Sequence, residues 1–348
     1  MAFYDGVFDA LGLRSWCDAA EAGGPMSMAE LLARNSGGGG TAAVADAGPV
    51  LPFPSLDELH KSCDAIPRTR EMTSGVEDAF LAAKDGLKLV LDPITQPLSW
   101  MLDGALELFT WLPWWVLIPG LILLTWYVSR AVGVTVFVAL SFLFLGAIDH
   151  LDVAIQTLSI IFVCTGLCVL LGVPIGIAMS KNDGLQRATI PVLDLLQTLP
   201  SFVYLIPLIF LFSVTESKLY GIAIILYAIV PVVRLTDLGI RLVDRDVIEA
   251  ADAFGMTPRQ KLWKVEVPLA LPNIMAGVNQ TIMMSLAMVV IASLVSAPGL
   301  GVLVLRGIRN LELGVGLVAG LGIVLLAVML DRASKAALAR VDVSRSVK

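Results

Sequence analysis

The chain has 348 residues, 57% of them hydrophobic and only 16% charged, with a formal net charge of -6 and a mean hydropathy of +0.83. Soluble domains run near 45–50% apolar and about 25% charged, so a water-soluble enzyme and a disordered chain are both excluded, and an integral membrane protein is expected. Residues 1–110 hold 7 Lys/Arg against 16 Asp/Glu and the remainder 17 against 14, a balance without the basic footprint that nucleic acid requires.

In chain order, residues 1–70 form an acidic, partly flexible tail. Its start lacks the basic and unbroken apolar regions of a signal peptide. Residues 35–54 are rich in Gly, Ala and Pro and read as a linker. Four cysteines are too few for a disulfide scaffold; Cys164 and Cys168 read as buried thiols, and Cys17 and Cys63 can pair if the tail faces an oxidising compartment. Over 71–110, Val76, Phe80, Ala83, Leu87 and Val90 recur at helical spacing, and Leu98, Leu102, Leu106 and Phe109 repeat the pattern beyond Pro93 and Pro97. The spacing predicts two amphipathic helices on the membrane surface. Trp100, Trp111, Trp114 and Trp115 crowd the entry to the first long apolar run, as interfacial aromatics do.

A bilayer crossing takes about 20 apolar residues. Between 111 and 335 the sequence offers seven candidates, 111–129, 132–148, 155–179, 195–214, 219–235, 274–295 and 314–330, with a connecting loop over 236–273 and a C-terminal tail over 336–348. Gly172 with Gly176, and Gly316 with Gly320, have the spacing of close helix contacts. With the 236–273 loop inside, the inner side carries 14 Lys/Arg and the outer short loops carry Lys218, Arg306 and Arg309. That asymmetry predicts an internal C-terminus and, with seven spans, an external acidic tail.

No catalytic motif is legible. Two histidines cannot build a His-rich metal site, and no nucleophile elbow, HExxH or phosphate-binding loop occurs. The informative stretch is RDVIEAADAFGMTPRQKLWKVEVPLALP, 245–272. Val247, Ile248, Ala251 and Phe254 make one face of a short helix; Arg245, Asp246, Glu249 and Asp252 make the other. Gly255 is placed to end it in a left-handed cap. Thr257 then reads as an N-cap, Pro258 as the first helical residue and Gln260 as the reciprocal partner of a capping box. Pro268 and Pro272 are expected to stop this second helix before the next span. The result is a rigid helix–turn–helix on the inner side, either a connector or a docking surface.

Glu249-Ala250-Ala251, Gly255 and Val265-x-Val267-Pro268 resemble the EAA loop of ABC importer permeases, with Val265 and Val267 as conservative departures. LDLLQTLPSFVYLIP (193–207), EVPLALPNIMAGVNQTIMMSLAMVVIASLV (266–295) and GLGVLVLRGI (299–308) resemble the glycine betaine/proline betaine branch. The resemblance covers about 90–335. It implies an all-α membrane protein with a type I importer permease core behind an N-terminal amphipathic extension. It further implies a homodimeric permease in the inner membrane, a separate ATPase that carries ATP and Mg (no cofactor on this chain), and an extracytoplasmic substrate-binding protein. Glu249, Ala250, Ala251, Gly255 and Pro268 would form the coupling site.

Polar residues inside spans point to a substrate path. Gln197, Pro200, Ser201 and Tyr204 in the fourth candidate, and Asn279 and Thr281 in the sixth, are the path residues expected here; interhelical hydrogen bonding is the plainer role for any one of them. Glycine betaine is the expected cargo, with choline, carnitine, proline or histidine as alternatives. A secondary transporter or channel needing no ATPase is the alternative of another class, disfavoured by the lack of an inverted repeat and the scarcity of acidic residues in the spans.

Overall fold

A computed structural model describes residues 3–13, 63 and 69–341; Cys17 and the 35–54 linker lie outside them. The chain divides into two compact units, 1–85 and 86–348. In the first, α1 (Phe3–Ala10) is a short helix with Phe8 buried, and Cys63 is buried and disulfide-bonded.

The helix α2 (Thr69–Trp111) begins in the first unit and continues into the second. It is one helix of 43 residues with Pro93 and Pro97 inside, not two helices split by them. Proline in a helix interior costs a hydrogen bond and a steric clash, so tertiary contacts must keep this stretch helical. They flank both prolines. Asp92 accepts from Lys218 Nζ at 2.7 Å, and Leu98 and Leu102 pack so closely on Gly221 that a side chain there would lie 2.5 Å from Leu102. Lys218 is only 3% exposed. Glu216 meets it at 2.7 Å, and the Phe212 ring lies below its ammonium. Its charge therefore serves packing and is not displayed in an outer loop.

The second unit continues with α3 (Trp114–Ser129), α4 (Val132–Ala147), α5 (Leu151–Lys181), α6 (Asp183–Thr198), α7 (Leu205–Leu211), α8 (Ser217–Arg241), α9 (Arg245–Ala253), α10 (Pro258–Lys261), α11 (Val267–Ala292), α12 (Leu300–Arg309) and α13 (Leu313–Val341). At Leu112–Pro113 the chain turns through 111° between α2 and α3. Among the described residues four helices are long and apolar enough to cross a membrane, over Leu151–Lys181, Ser217–Arg241, Pro258–Val295 and Leu313–Ala337, and the bent α2–α3 pair passes as a fifth. The 16-residue α4 is a shorter apolar helix.

Residues 195–214 are not one helix. The helix α6 ends at Thr198, the chain turns through 199–204, and α7 adds a single short helix. Pro200 accounts for the break, since it disfavours helix at the residue before it, and Leu199 is extended with ψ 129°.

The helix α8 is the centre of the unit, between α5 and α11. Glycines set the separation. A methyl at Gly172 or Gly176 of α5 would lie 2.4 Å from Val232 or 2.6 Å from Thr236, and one at Gly277 of α11 would meet the backbone of Val232 at 3.0 Å. On α13, Gly316 abuts Gly307 of α12, whereas Gly320 faces open space and Gly322 takes the second close contact, against Leu300 and Leu145. Leu145, Ile160, Ile224, Met288, Leu300 and Leu326 fill the shared core.

Candidate coupling site and translocation path

The two short helices α9 and α10 form the hairpin read from the sequence, and its caps are satisfied in full. Asp244 caps α9 by accepting from the Asp246 amide at 3.0 Å. At the far end the Gly255 amide donates to the Asp252 carbonyl at 2.9 Å and the Met256 amide to the Ala251 carbonyl at 3.1 Å. This pair of bonds, with Gly255 at φ +71°, is a Schellman motif. Thr257 then caps α10: its backbone N–H donates to Gln260 Oε1 at 3.0 Å, and its hydroxyl accepts from the Gln260 amide at 3.4 Å. Lys261 reaches back to Asp252 and braces the two helices.

Among the described residues one face of the hairpin is exposed. Glu249, Ala250 and Gly255 are exposed, while Ala251 is buried and Ile248 half-buried. Phe254 is 84% exposed, and Val247 and Trp263 are exposed as well. The apolar face of Val247, Ile248, Ala251 and Phe254 is thus partly open.

Beyond Lys261 the chain does not stop at Pro268. A π-helical turn over Leu262–Glu266 carries it into α11, where Pro268 occupies the first turn and Pro272 lies inside. The wider turn gives the Pro268 ring room against the preceding carbonyls, the clash that ends ordinary helices. Glu266 within this turn is buried and ion-paired with Lys181 at the end of α5. Beside it Arg241 binds Asp183 at 2.8 Å, Asp237 at 3.0 Å and the Met179 carbonyl at 2.8 Å, and Gln186 joins Asp237 at 2.6 Å. The hairpin is therefore continuous with a polar network that ties the ends of α5, α6 and α8. Residues 181, 183, 237, 241 and 266 escape a motif search because their partners are distant in sequence. The visible signal is a lone Glu266 between two valines.

The path residues are not gathered in one place. Gln197 and Pro200 are exposed at the end of α6, and Ser201 is half-buried in the turn after it. Tyr204 is buried in the main core, and its hydroxyl has no hydrogen-bond partner among the described residues. Asn279 joins α11 to α13, donating to Asp331 at 2.9 Å and accepting from Ser334 at 2.8 Å. Thr281 is fully buried, and its hydroxyl has no partner among the described residues. Arg234 lies within α8 and is ion-paired with Asp194 of α6.

Comparisons with known proteins agree with this architecture. Residues 169–343 match the family described as binding-protein-dependent transport system inner membrane component. The glycine betaine/proline betaine transport system permease protein ProW of Escherichia coli (strain K12) is 39% identical over 285 residues, covering 82% of this chain and 78% of that protein. The glycine betaine transport system permease protein OpuAB of Bacillus subtilis (strain 168) is 40% identical over 242 residues, covering 69% and 85%. A chain of the inward-facing MetNI methionine ABC transporter matches in fold, with a TM-score of 0.50 at 20% identity over 55% of this chain and 95% of that one. With its membrane-length helices around α8, this chain belongs to the family of binding-protein-dependent transport system inner membrane components.

Proposed function

We propose that this chain is the permease subunit of an ATP-driven importer for glycine betaine and related quaternary amines. The cargo rests on the relatives named for glycine betaine at 39% and 40% identity. The coupling role rests on one structural observation, a fully capped hairpin that holds Glu249, Ala250 and Gly255 exposed beside the uncovered Phe254.

In this reading the hairpin docks on a separate ATPase, which carries ATP and Mg, and an external binding protein delivers the substrate. Glu249 offers a carboxylate to a basic residue of the ATPase, Phe254 an apolar anchor, and Gly255 the turn that sets the angle between α9 and α10. Pro268 lies where the docking unit becomes α11. A displacement of the hairpin reaches α5 through Glu266 and Lys181, and the neighbouring Arg241 network joins α5 to α6 and α8. Two copies of this chain supply the two docking hairpins, with lipid around them. The hairpin faces the cytoplasm, the C-terminus lies on the same side, and the tail lies outside. This orientation is supported by the excess of Lys/Arg on the hairpin side.

Purification from a mild detergent tests the reading. Recovery of an ATP-binding cassette ATPase at one copy per permease chain supports it. Glycine betaine uptake by a complex lacking any ATPase contradicts it in favour of a secondary transporter or channel.

A further inference from the structure

We propose that Asp194 and Arg234 receive the substrate within the translocation path, Asp194 facing its quaternary ammonium and Arg234 binding its carboxylate. The proposal rests on the reading above that the cargo is of the glycine betaine type, a molecule with one fixed positive and one negative charge.

The depth of the pair comes from helix geometry. The contact of Arg241 with Asp183 marks the end of α8 and the start of α6 nearest the hairpin. Arg234 lies seven residues back along α8 and Asp194 eleven residues along α6. At about 1.5 Å per residue these are roughly 10 Å and 16 Å along their helices from the hairpin end. Arg234 thus lies within a helix long and apolar enough to cross a membrane, where ionisable groups are costly and mark substrate paths.

The pair is open. Arg234 and Asp194 keep 38% and 54% of their side chains exposed, as Arg241 and Asp183 do at the hairpin end with 31% and 74%, whereas Asp237 and Lys218 keep only 9% and 4%. Arg234 also has capacity to spare. Its Nη2 meets Asp194, while its Nε is buried with no hydrogen-bond acceptor among the described residues. A guanidinium presents a planar fork that suits a carboxylate on two donors.

The helix α6 carries a matching stripe. Asp183, Arg187, Asp194 and Thr198 recur at four, seven and four residues and so share one face, with Gln197 beside them. Leu193 turns the other way, into a cluster with Val230 and Val233 of α8. Ile190 interrupts this face midway, and beyond it Asp194, Gln197 and Thr198 form a polar patch that leads from the Asp194–Arg234 pair to the break at Pro200.

The chemistry selects a zwitterion. The site is neutral when empty, and a zwitterion leaves it neutral. Each protein charge exchanges its partner in the other helix for the complementary end of the substrate. A simple cation would draw Asp194 away and leave Arg234 uncompensated at depth, an arrangement that is strongly unfavourable.

The test is glycine betaine uptake into vesicles containing the permease, its ATPase and the binding protein. Asp194→Asn and Arg234→Gln should each lower uptake at least tenfold while the complex still assembles, and the exchange Asp194→Arg with Arg234→Asp should not restore it. Full uptake by either neutral variant overturns the proposal. So does restored uptake in the exchanged pair, because that makes the contact a strut between α6 and α8. If wild-type vesicles take up no glycine betaine, the cargo reading falls and the ligand named here with it; wild-type uptake matched by the variants overturns the pair alone. A second measurement needs no charge change. In Thr198→Cys, a quaternary-ammonium methanethiosulfonate should modify the thiol during ATP turnover, and glycine betaine should slow that reaction severalfold. Absence of modification, or modification indifferent to glycine betaine, overturns the proposal even where the neutral variants fail to assemble.

Discussion

The ammonium of Lys261 donates to both carboxylate oxygens of Asp252, at 2.7 and 2.9 Å, across the turn made by Gly255. Asp252 is half exposed, so the pair is worth at most about 1 kcal/mol of stability. Its effect is geometric, because it closes the open side of a hairpin whose other side is held by the two caps. Lys261→Ala should therefore leave the unfolding temperature of the permease nearly unchanged while weakening ATPase association several-fold, measured by titrating detergent-solubilised permease with the ATPase. Equal affinity would mean that the caps alone fix the hairpin.

Gly255 provides a sharper test, since its constraint is conformational and not steric. Its φ is +71°, and an added Cβ would meet nothing within 4 Å. Asn tolerates this region and a β-branched residue does not. Gly255→Asn should retain most transport and Gly255→Val should lose it, with both proteins present in the membrane at normal levels. Glu249→Lys should also abolish transport by reversing a charge at the interface, a change that can cost several kcal/mol. Transport by both Gly255→Val and Glu249→Lys at the wild-type rate would reduce the hairpin to a connector.

Gly176 tests the packing of the membrane core. A methyl there would lie 2.6 Å from Thr236 Cβ and 2.7 Å from the Val233 carbonyl, whereas one at Gly320 would meet nothing within 4 Å. Overpacking typically costs about 1–3 kcal/mol. Gly176→Val should lower the unfolding temperature in detergent by several degrees and Gly320→Val should not. Equal effects would contradict the close approach of α5 to α8.

Orientation is open to labelling at two exposed positions. Phe254 lies on the hairpin and Leu311, 89% exposed, at the turn between α12 and α13. In intact spheroplasts an impermeant thiol reagent should modify Leu311→Cys at once and Phe254→Cys only after the membrane is broken. The reverse order would invert the topology. Among the described residues the native cysteines interfere little, since Cys63 is disulfide-bonded and Cys164 and Cys168 are buried.

What the sequence reveals is what local chemistry decides. Gly255, Thr257, Pro258 and Gln260 announce the hairpin because each cap is written within three or four residues. The long apolar runs announce α5, α8, α11 and α13 for the same reason, as composition suffices. Prolines mislead. Pro93, Pro97 and Pro272 lie inside helices held by distant contacts, whereas Pro200 does break one. The EAA residues are legible as a motif, but the network behind them is not: Lys181 with Glu266, and Asp194 with Arg234, pair across the fold, and the hydropathy of one segment carries no trace of its partner. Asn279 shows the converse, a polar residue in a span that ties two helices together through Asp331 and Ser334.

The central claim is that this chain moves a quaternary amine only when an ATPase drives it through the 245–261 hairpin. Its most direct test is accumulation of labelled glycine betaine in proteoliposomes containing permease, ATPase and binding protein, with ATP supplied on the hairpin side. The account predicts accumulation against a gradient that requires all three proteins and ATP and is lost in Gly255→Val. Accumulation by the permease alone, or in the absence of ATP, would contradict it.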